Sequence, residues 1–361
     1  GPRILQDQRM RKGGEIALRT ALAAVLMLQG AQAFNAFISA HSRSVLNMRI
    51  DTPGFTGRIL PSSPAATMNR QRGASSQRRC CALRMASTVT DSDTLPSYSK
   101  LAKITIGKKE VNPIIGLFFL LGSFLWAVVL LPAVIAGYMW SLAFDRLRRR
   151  AVDFCVGLWA KGALVSLLYW PKLVGKENLP PPQEGVMYIP NHCSYLDIFT
   201  LSGVIPRKFK YVSKQEILAI PIIGWAMQMA GHIGIKRMDR RSQLQTFKET
   251  VESLSNGNSI VTFAEGTRSP DGRLRAFKKG PIKMAIKAGV RIVPVSICNL
   301  YRWMPNSAAT PLAFPRNVEV KIHPPIDPAG RSEEEVLDYV YTCVNEGLPS
   351  FQQAAALPEA T

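Results

Sequence analysis

The feature that most constrains this chain is a long run, residues 113–144, that carries almost no charge. A bilayer core needs about 20 apolar residues in a helix, so the run is long enough to span a membrane. Pro132 divides the run, and basic residues flank both ends, so the charge distribution does not orient it. A second apolar segment follows at 151–169. Three interpretations stay open: one true span, a helical hairpin at 113–170 lying in one leaflet, or a buried hairpin of a soluble protein.

Beyond residue 171 the pattern changes to short apolar strands that alternate with amphipathic helices, which is typical of an α/β sheet. We predict strands at 186–189, 210–212, 232–235, 259–263, 291–297 and 318–322, and helices at 195–204, 222–230, 242–255, 281–288 and 332–345. The predicted fold class is α/β, with a mixed, largely parallel sheet flanked by helices and an N-terminal membrane-associated helical hairpin. We expect the α/β domain at 171–350 and a frayed, Ala-rich tail at 351–361.

The first part of the chain resembles a targeting leader rather than a folded domain. The net charge is +20, and residues 1–90 hold 13 Lys and Arg against 3 acidic residues. A basic start, an apolar core at 17–28 and a small-residue pattern at 31–33 are typical of a signal peptide, and the Ser-, Ala- and Arg-rich stretch that follows is typical of a transit peptide. This order resembles the two-part leaders of plastids wrapped in extra membranes. We therefore predict a leader at 1–90, a polar linker at 91–112, and a plastid (chloroplast) membrane location.

Nucleic-acid binding and metal binding are both disfavoured. A disordered basic arm that binds nucleic acid is the alternative to the leader, but such arms usually carry Lys and rarely follow an apolar core. The six cysteines show no CxxC pair and no His partner at metal spacing, so we expect no structural disulfide and no metal site.

A histidine and a carboxylate lie in the first turn of the predicted α/β domain. The strand at 186–189 is followed by Pro and Asn, which places His192 at the carboxyl end of a strand, where α/β sheets bind ligands. Asp197, further along the turn, can accept from one ring nitrogen and leave the other free to take a proton. Cys193 and Ser194 are candidate nucleophiles, but no second His lies nearby in the sequence to activate them, so covalent catalysis is disfavoured. Taken alone, the pair also fits a surface turn.

In three later stretches, a predicted strand carries or is followed by residues that are suited to ligand binding or catalysis. Residues 235–241 form a cationic turn. After the next strand, Gly266 lets the backbone approach a ligand, and Arg268 offers a planar fork suited to phosphate. Pro294 interrupts the fifth predicted strand, which favours an edge strand or a bulge. Taken singly, these stretches also fit charged surface loops and an edge strand.

In order and spacing, these stretches resemble the four blocks of the glycerolipid acyltransferases. The blocks are Asn191-His192 with Asp197, the segment 231–240, Glu265-Gly266-Thr267-Arg268-Ser269, and Val293-Pro294. The likeness covers 173–305 well and the apolar hairpin loosely. It is closest to the plastid-type 1-acylglycerol-3-phosphate acyltransferases.

The resemblance implies transfer of an acyl group from an acyl thioester to the sn-2 hydroxyl of 1-acyl-glycerol 3-phosphate (lysophosphatidic acid), which makes phosphatidic acid. It implies that His192 is the general base and that Asp197 orients it. The phosphate and glycerol site would contain Arg240, Glu265, Gly266, Thr267 and Arg268, with Glu265 fixing an arginine, and the acyl-facing wall would contain Val293 and Pro294.

The resemblance implies no cofactor and no metal. The co-substrate would be acyl-ACP or acyl-CoA, and the partners would be lysophosphatidic acid and the lipid bilayer, with no nucleic acid. Two alternatives stay open. One is an acyltransferase of the same family that acts on glycerol 3-phosphate or on a headgroup-bearing lysophospholipid, and the other is a lipid-binding membrane protein without turnover.

Overall fold

The computed structural model describes residues 104–106 and 109–355. The predicted leader, the first part of the predicted linker and residues 356–361 lie outside the described residues. Within the predicted linker, β1 (Ile104–Ile106) and β2 (Lys109–Val111) pair as an antiparallel ribbon. The backbone N–H of Glu110 donates to the carbonyl of Ser307 at 3.1 Å, and its carbonyl accepts from the N–H of Ala309 at 2.9 Å. The end of the linker is therefore part of the fold.

The long apolar run forms one arm of a helical hairpin. α1 (Pro113–Phe144) is followed by α2 (Arg150–Ser166). The expected division at Pro132 is wrong, because α1 runs through this residue and a proline removes only one backbone hydrogen bond from a long helix. Small residues bring the two helices close together: a Cβ atom at Gly162 would meet the ring of Trp126. The Trp159 indole N–H also donates to the carbonyl of Ser123 at 2.8 Å.

α1 presents a large apolar surface outside the core. Among the described residues it is the one helix long and apolar enough to cross a bilayer, with a mean hydropathy of 2.7 over its most apolar window, of which 17% is buried. Its exposed apolar side chains include Ile114, Leu117, Phe118, Leu121, Phe124, Leu125 and Phe144. An exposed apolar patch is typical of a membrane or partner contact. The helix is compatible with a span and with a hairpin in one leaflet.

The α/β domain is built on a seven-stranded sheet with the order β3-β9-β8-β4-β7-β5-β6. Its strands are β3 (Lys172–Val174), β4 (Met187–Pro190), β5 (Lys210–Lys214), β6 (Ile233–Ile235), β7 (Ile260–Val261), β8 (Ile292–Cys298) and β9 (Glu319–Ile322). Neighbouring strands are parallel except for β8 and β9, which pair antiparallel. The predicted mixed, largely parallel sheet is confirmed, and β3 is a strand that the pattern did not predict.

Helices cover both faces of the sheet. They are α3 (Asp197–Val204), α4 (Gln215–Leu218), α5 (Ile223–Ala230), α6 (Arg240–Ser255), α7 (Lys279–Ala288) and α8 (Glu333–Gly347). Successive side chains of a strand point to opposite faces, so β4 divides its residues between two cores. Tyr188 packs in the core that includes Leu164 of the hairpin. Met187 and Ile189 pack in the core that includes Val340 of α8. The hairpin therefore shares a core with the sheet.

A buried ion pair also joins the hairpin to the domain. The Lys210 ammonium, at the start of β5, donates to both carboxylate oxygens of Asp153 on α2, at 3.2 and 3.1 Å. It further donates to the carbonyls of Arg148 at 2.8 Å and Ala230 at 2.6 Å. A buried charge pair is tolerated when its remaining donors are satisfied, and these two carbonyls meet that need.

Pro294 lies in an interior strand, so the expectation of an edge strand is wrong. β8 stands between β9 and β4, and Pro294 is in register with Ile189 of β4. The Pro294 carbonyl accepts from the N–H of His323 at 3.0 Å. A residue in a strand directs its nitrogen and its carbonyl to the same side, so the missing N–H faces the end of β9 and not β4. The proline thus costs the sheet one hydrogen bond, at a strand end.

The expectation of a frayed tail is wrong for residues 351–355. A short 3₁₀ helix, Ser350–Gln352, follows α8, and the Gln352 side chain is fully buried. The N–H of Leu274 donates to the Gln352 carbonyl at 2.8 Å, and the N–H of Ala354 donates to the side chain of Asn345 at 2.8 Å. Composition alone favours fraying there, but these two bonds hold the segment in place.

Candidate active site

The loop between β4 and α3 holds the predicted His and Asp together. The His192 Nδ1 and the Asp197 Oδ2 are 2.8 Å apart. The Asp197 side chain is fully buried, and its Oδ2 also accepts from the backbone N–H groups of Cys193 and Ser194, both at 2.9 Å. These two backbone bonds fix the direction of the carboxylate that contacts the imidazole. A carboxylate at Nδ1 favours the tautomer in which Nε2 carries the free lone pair.

The imidazole is also held on its face. The rings of His192 and Phe263 are stacked, with centroids 3.8 Å apart and planes at 20°. The carbonyl of His192 accepts from the N–H of Ser269 at 2.8 Å. A base that is held in this way on its edge, its face and its backbone meets the positional requirement for proton transfer.

Cys193 and Ser194 are engaged in the structure of the loop. The Cys193 thiol is almost completely buried, and burial together with the Asp197 charge raises its pKa well above the usual value. The Ser194 hydroxyl donates to the carbonyl of Met304 at 2.8 Å and accepts from the N–H of Leu196 at 3.2 Å. Neither group is free to act as an activated nucleophile, which agrees with the sequence-based preference against covalent catalysis.

Asn191 connects the loop to the neighbouring strand. Its amide oxygen accepts from the N–H of Ile297 at 2.7 Å, and its amide nitrogen donates to the carbonyl of the same residue at 3.2 Å. This paired contact takes the place of strand hydrogen bonds where β4 ends. The sequence contains Asn191 in the first block, but its role depends on β8 lying next to β4.

Glu265 holds backbone and not a guanidinium, so the expectation that it fixes an arginine side chain is corrected. Its Oε1 accepts from the N–H of His192 at 2.6 Å, and its Oε2 accepts from the N–H of Arg275 at 3.2 Å. Burial raises the pKa of the Glu265 carboxyl to about 8, against the two N–H donors, which lower it. Glu265 thus joins two loops at the carboxyl edge of the sheet, directly behind the general-base candidate.

The loop after β7 carries the remaining residues of that block. Gly266 has a φ of 77°, in the left-handed region that favours glycine, and Thr267 is exposed. A Cβ atom at Gly266 would meet the Lys278 side chain at 2.8 Å. The glycine thus allows both the turn and the close passage of a lysine.

The cations of the candidate phosphate site lie on two loops, the one after β7 and the cationic turn before α6. Arg268 is half-buried and close enough to Tyr195 to oppose the rise in pKa that burial gives the phenol. Burial lowers the pKa of Arg237, and the charge of Arg268 adds to the decrease. Arg240, which we predicted for this site, is the exposed first residue of α6. Arg237, from the same cationic turn as Arg240, is therefore an electrostatic neighbour of Arg268.

Val293 and Pro294, the predicted acyl-facing residues, are both buried within β8. Val293 belongs to the core on the hairpin side of the sheet, together with Phe119 and Leu164 of the two hairpin helices. Within the described part of the chain, no group of three or more His, Cys, Asp or Glu is arranged to hold a metal. The cysteines described there, Cys155, Cys193, Cys298 and Cys343, are buried and form no disulfide with one another.

A family comparison agrees with this site. Residues 171–298, which contain both the dyad and Arg268, match the family described as Acyltransferase. This part of the chain therefore matches the acyltransferase class.

Individual relatives narrow the class. A 1-acyl-sn-glycerol-3-phosphate acyltransferase of Chlamydomonas reinhardtii is 35% identical over 293 residues, which are 81% of this chain and 84% of that protein. A chloroplastic 1-acyl-sn-glycerol-3-phosphate acyltransferase of Arabidopsis thaliana is 42% identical over 211 residues, 58% of either chain. The crystal structure of the LPA acyltransferase PlsC from Thermotoga maritima matches with a TM-score of 0.56 and 31% identity, over 65% of this chain and 93% of that one. The chain belongs to the 1-acyl-sn-glycerol-3-phosphate acyltransferase family, and the predicted resemblance is confirmed.

Proposed function

We propose that this protein transfers an acyl group from an acyl thioester to the sn-2 hydroxyl of 1-acyl-glycerol 3-phosphate, which makes phosphatidic acid. The observation that carries the proposal is the contact of 2.8 Å between His192 Nδ1 and the buried carboxylate of Asp197, at the carboxyl edge of the sheet. The names of the relatives, all acting on this acceptor, support the same substrate.

In this mechanism His192 is the general base. A secondary hydroxyl has a pKa far above 7, so its proton must be removed as the oxygen attacks. The proton passes to Nε2 of His192 while the hydroxyl oxygen bonds to the thioester carbonyl carbon. The carbon–sulfur bond then breaks, and the departing thiolate takes up the proton that Nε2 of His192 holds, which restores the base. Asp197 stabilises the imidazolium through Nδ1. No acyl-enzyme is needed, since the thioester is already activated.

The acceptor phosphate is assigned to the cationic loops. It carries close to two negative charges, and a guanidinium binds such a group through paired hydrogen bonds. We assign this contact to Arg268, with Arg237 as the second cation and with Gly266 and Thr267 lining the approach. Arg268 lies close to Tyr195, which belongs to the loop between β4 and α3 that carries His192 (the catalytic loop), and Arg237 lies close to Arg268. These two contacts support a position beside His192. Binding the phosphate there would align the hydroxyl with the base.

We further propose that the enzyme works at a plastid membrane. The chloroplastic relatives and the leader-like composition of residues 1–90 support the plastid, and the exposed apolar surface of α1 supports the bilayer. The acyl donor is acyl-ACP or acyl-CoA.

The test is acyl transfer by the purified protein in detergent, with both donors and a panel of acceptors. The panel is lysophosphatidic acid, glycerol 3-phosphate, 1-acylglycerol and lysophosphatidylcholine, and the readouts are free thiol and the acylated lipid. We expect phosphatidic acid from lysophosphatidic acid at the highest kcat/KM. A preference for glycerol 3-phosphate or for lysophosphatidylcholine would overturn the proposed acceptor. Binding of lipid with no thiol release would overturn the enzymatic function.

A further inference from the structure

A buried glutamine from the C-terminal segment reaches the protein-facing side of the catalytic loop. Gln352 is fully buried, and its Oε1 accepts from the N–H of Asn299 at 2.6 Å. Its Nε2 donates to the carbonyl of Ile297 at 3.5 Å and is 3.8 Å from the Sγ of Cys193. A buried primary amide that is used at both ends forms specific contacts, since leaving either end unpaired would carry a desolvation cost.

These contacts reach both neighbours of His192. The carbonyl of Ile297 that accepts from Gln352 also accepts from the side chain of Asn191, at 3.2 Å. On the other side of His192, Cys193 contacts the Gln352 amide directly. One side chain therefore contacts Cys193 directly and is linked to Asn191 through the carbonyl of Ile297.

The backbone of Gln352 connects to the loop that Glu265 holds through the N–H of Arg275. Its carbonyl accepts from the N–H of Leu274 at 2.8 Å, and the next N–H along the chain, that of Arg275, donates to Glu265. Glu265 in turn accepts from the N–H of His192 at 2.6 Å. The C-terminal segment thus supports the catalytic loop through two separate chains of hydrogen bonds.

Gln352 also stabilises an unfavourable turn. Asn299, directly after β8, has a φ of 67°, in the left-handed region that non-glycine residues seldom adopt. Its N–H is held by Gln352, and its side chain donates to the carbonyl of Asn317 at 2.9 Å. These two bonds hold a backbone conformation that Asn adopts more readily than most residues other than glycine.

We propose that Gln352 is a positioning residue for acyl transfer, which sets the direction of His192 through Asn191 and Cys193. This inference rests on the proposed function. Gln352 does not reach the reacting atoms, so its loss should lower kcat and leave the KM for lysophosphatidic acid almost unchanged. Displacing the base lowers kcat steeply, because proton transfer requires the base to lie within hydrogen-bond distance of the hydroxyl at the moment of attack.

The first experiment compares Gln352→Met with Gln353→Met. Methionine matches the length of glutamine but lacks its hydrogen bonds, and the Gln353 amide donates to the carbonyl of Leu348 at 3.0 Å, within the C-terminal segment. We expect Gln352→Met to lower kcat about 10- to 100-fold, and Gln353→Met to stay within about twofold of wild type. Unchanged kcat in Gln352→Met, or equal losses in both variants, would overturn the proposal.

A conservative variant adds a pH readout. In Gln352→Glu the protonated carboxylic acid both donates and accepts, whereas the carboxylate only accepts. The kcat of this variant relative to wild type should therefore rise as the pH is lowered. A ratio that does not change with pH would contradict a role for the amide donor.

The second experiment does not depend on acyl transfer. Iodoacetamide labelling of Cys193 is followed by mass spectrometry, with buried Cys155 of α2 as the internal reference. Gln352→Ala should speed Cys193 labelling about 10-fold or more, because the loop opens more often, while Gln353→Ala should not. Equal rates of Cys193 labelling in wild type and in Gln352→Ala would overturn the proposal. If wild type transfers no acyl group, the proposed function fails, and the labelling still decides whether Gln352 holds the loop.

Discussion

Asp197→Asn separates the charge of the dyad from its geometry. The asparagine carbonyl should take the place of Oδ2, because an NH₂ group there would face the N–H donors of Cys193 and Ser194, each now 2.9 Å from Oδ2. The Nδ1–H of His192 then keeps an acceptor at the position that is 2.8 Å away in wild type. The tautomer is retained, and the variant loses the negative charge.

The magnitude follows from the imidazolium that forms when His192 takes the proton. A hydrogen bond to a charged partner contributes about 1.5 to 3 kcal/mol, which corresponds to about a 10- to 150-fold loss in kcat. Without the counter-charge, the imidazolium that forms during the attack is less stable, so the loss should appear in kcat. The acceptor KM should change little, because Asp197 is fully buried and does not reach the acceptor.

The assay measures thiol release at saturating lysophosphatidic acid over a range of pH, after a thermal melt has shown that the variant folds. Asp271→Asn is the matched control, since Asp271 lies in a nearby loop, is exposed, and accepts from the Ser269 hydroxyl at 2.8 Å. Turnover of the control should stay within about twofold of wild type. Wild-type turnover in Asp197→Asn, or the same loss in both variants, would refute the assignment of Asp197.

Four further predictions concern the base, the phosphate site, the buried acid and the membrane. His192→Ala should lower kcat about 10²- to 10⁴-fold with little change in KM, and near-normal thiol release by the folded variant would contradict the mechanism. Arg268→Ala should lower kcat/KM for lysophosphatidic acid about 10- to 150-fold but match wild type on 1-acylglycerol, which has no phosphate; Arg240→Ala should have a smaller effect on both. Folding raises the pKa of Glu265 from 4.5 to about 8, so the native state holds a proton that the unfolded chain releases, and stability should fall between those pH values. Urea titrations should show that Glu265→Gln removes this decline, and an unchanged pH dependence would argue against the raised pKa. Because of α1, the protein should stay with membranes in high salt and leave with detergent, whereas release by alkaline carbonate would indicate a peripheral contact.

The dyad could be predicted from the sequence because both of its residues lie in one short loop. A strand, a break and a helix start bring His192 and Asp197 within contact without help from distant segments. The alternation of apolar strands with amphipathic helices, which predicted the sheet, is likewise a local feature of the sequence. Pro294 shows the limit, because whether a proline harms a strand depends on which side its nitrogen faces, and that requires the strand order.

The place of Arg237 beside Arg268 and the contacts of Glu265 and Gln352 depend on tertiary structure, which sequence spacing does not define. Arg237 and Arg240 belong to one cationic turn, and the proximity of Arg237 to Arg268 follows from the path of that turn in the fold. Glu265 contacts the backbone of His192 from 73 residues away. Gln352 lies in a segment whose Ala-rich composition favours disorder, so its role follows from tertiary contacts alone.

The position of Gln352 near the C-terminal end also affects when the catalytic loop is completed during synthesis of the chain. Gln352 is synthesised 159 residues after Cys193, which it touches. At about 5 to 20 residues per second, the ribosome leaves this part of the loop without its partner for about 8 to 30 seconds. During that interval the nascent chain already exposes the apolar α1, so it can associate with lipid or with a chaperone while its catalytic loop is still unbraced. The catalytic loop is therefore complete only once the C-terminal segment has joined the domain.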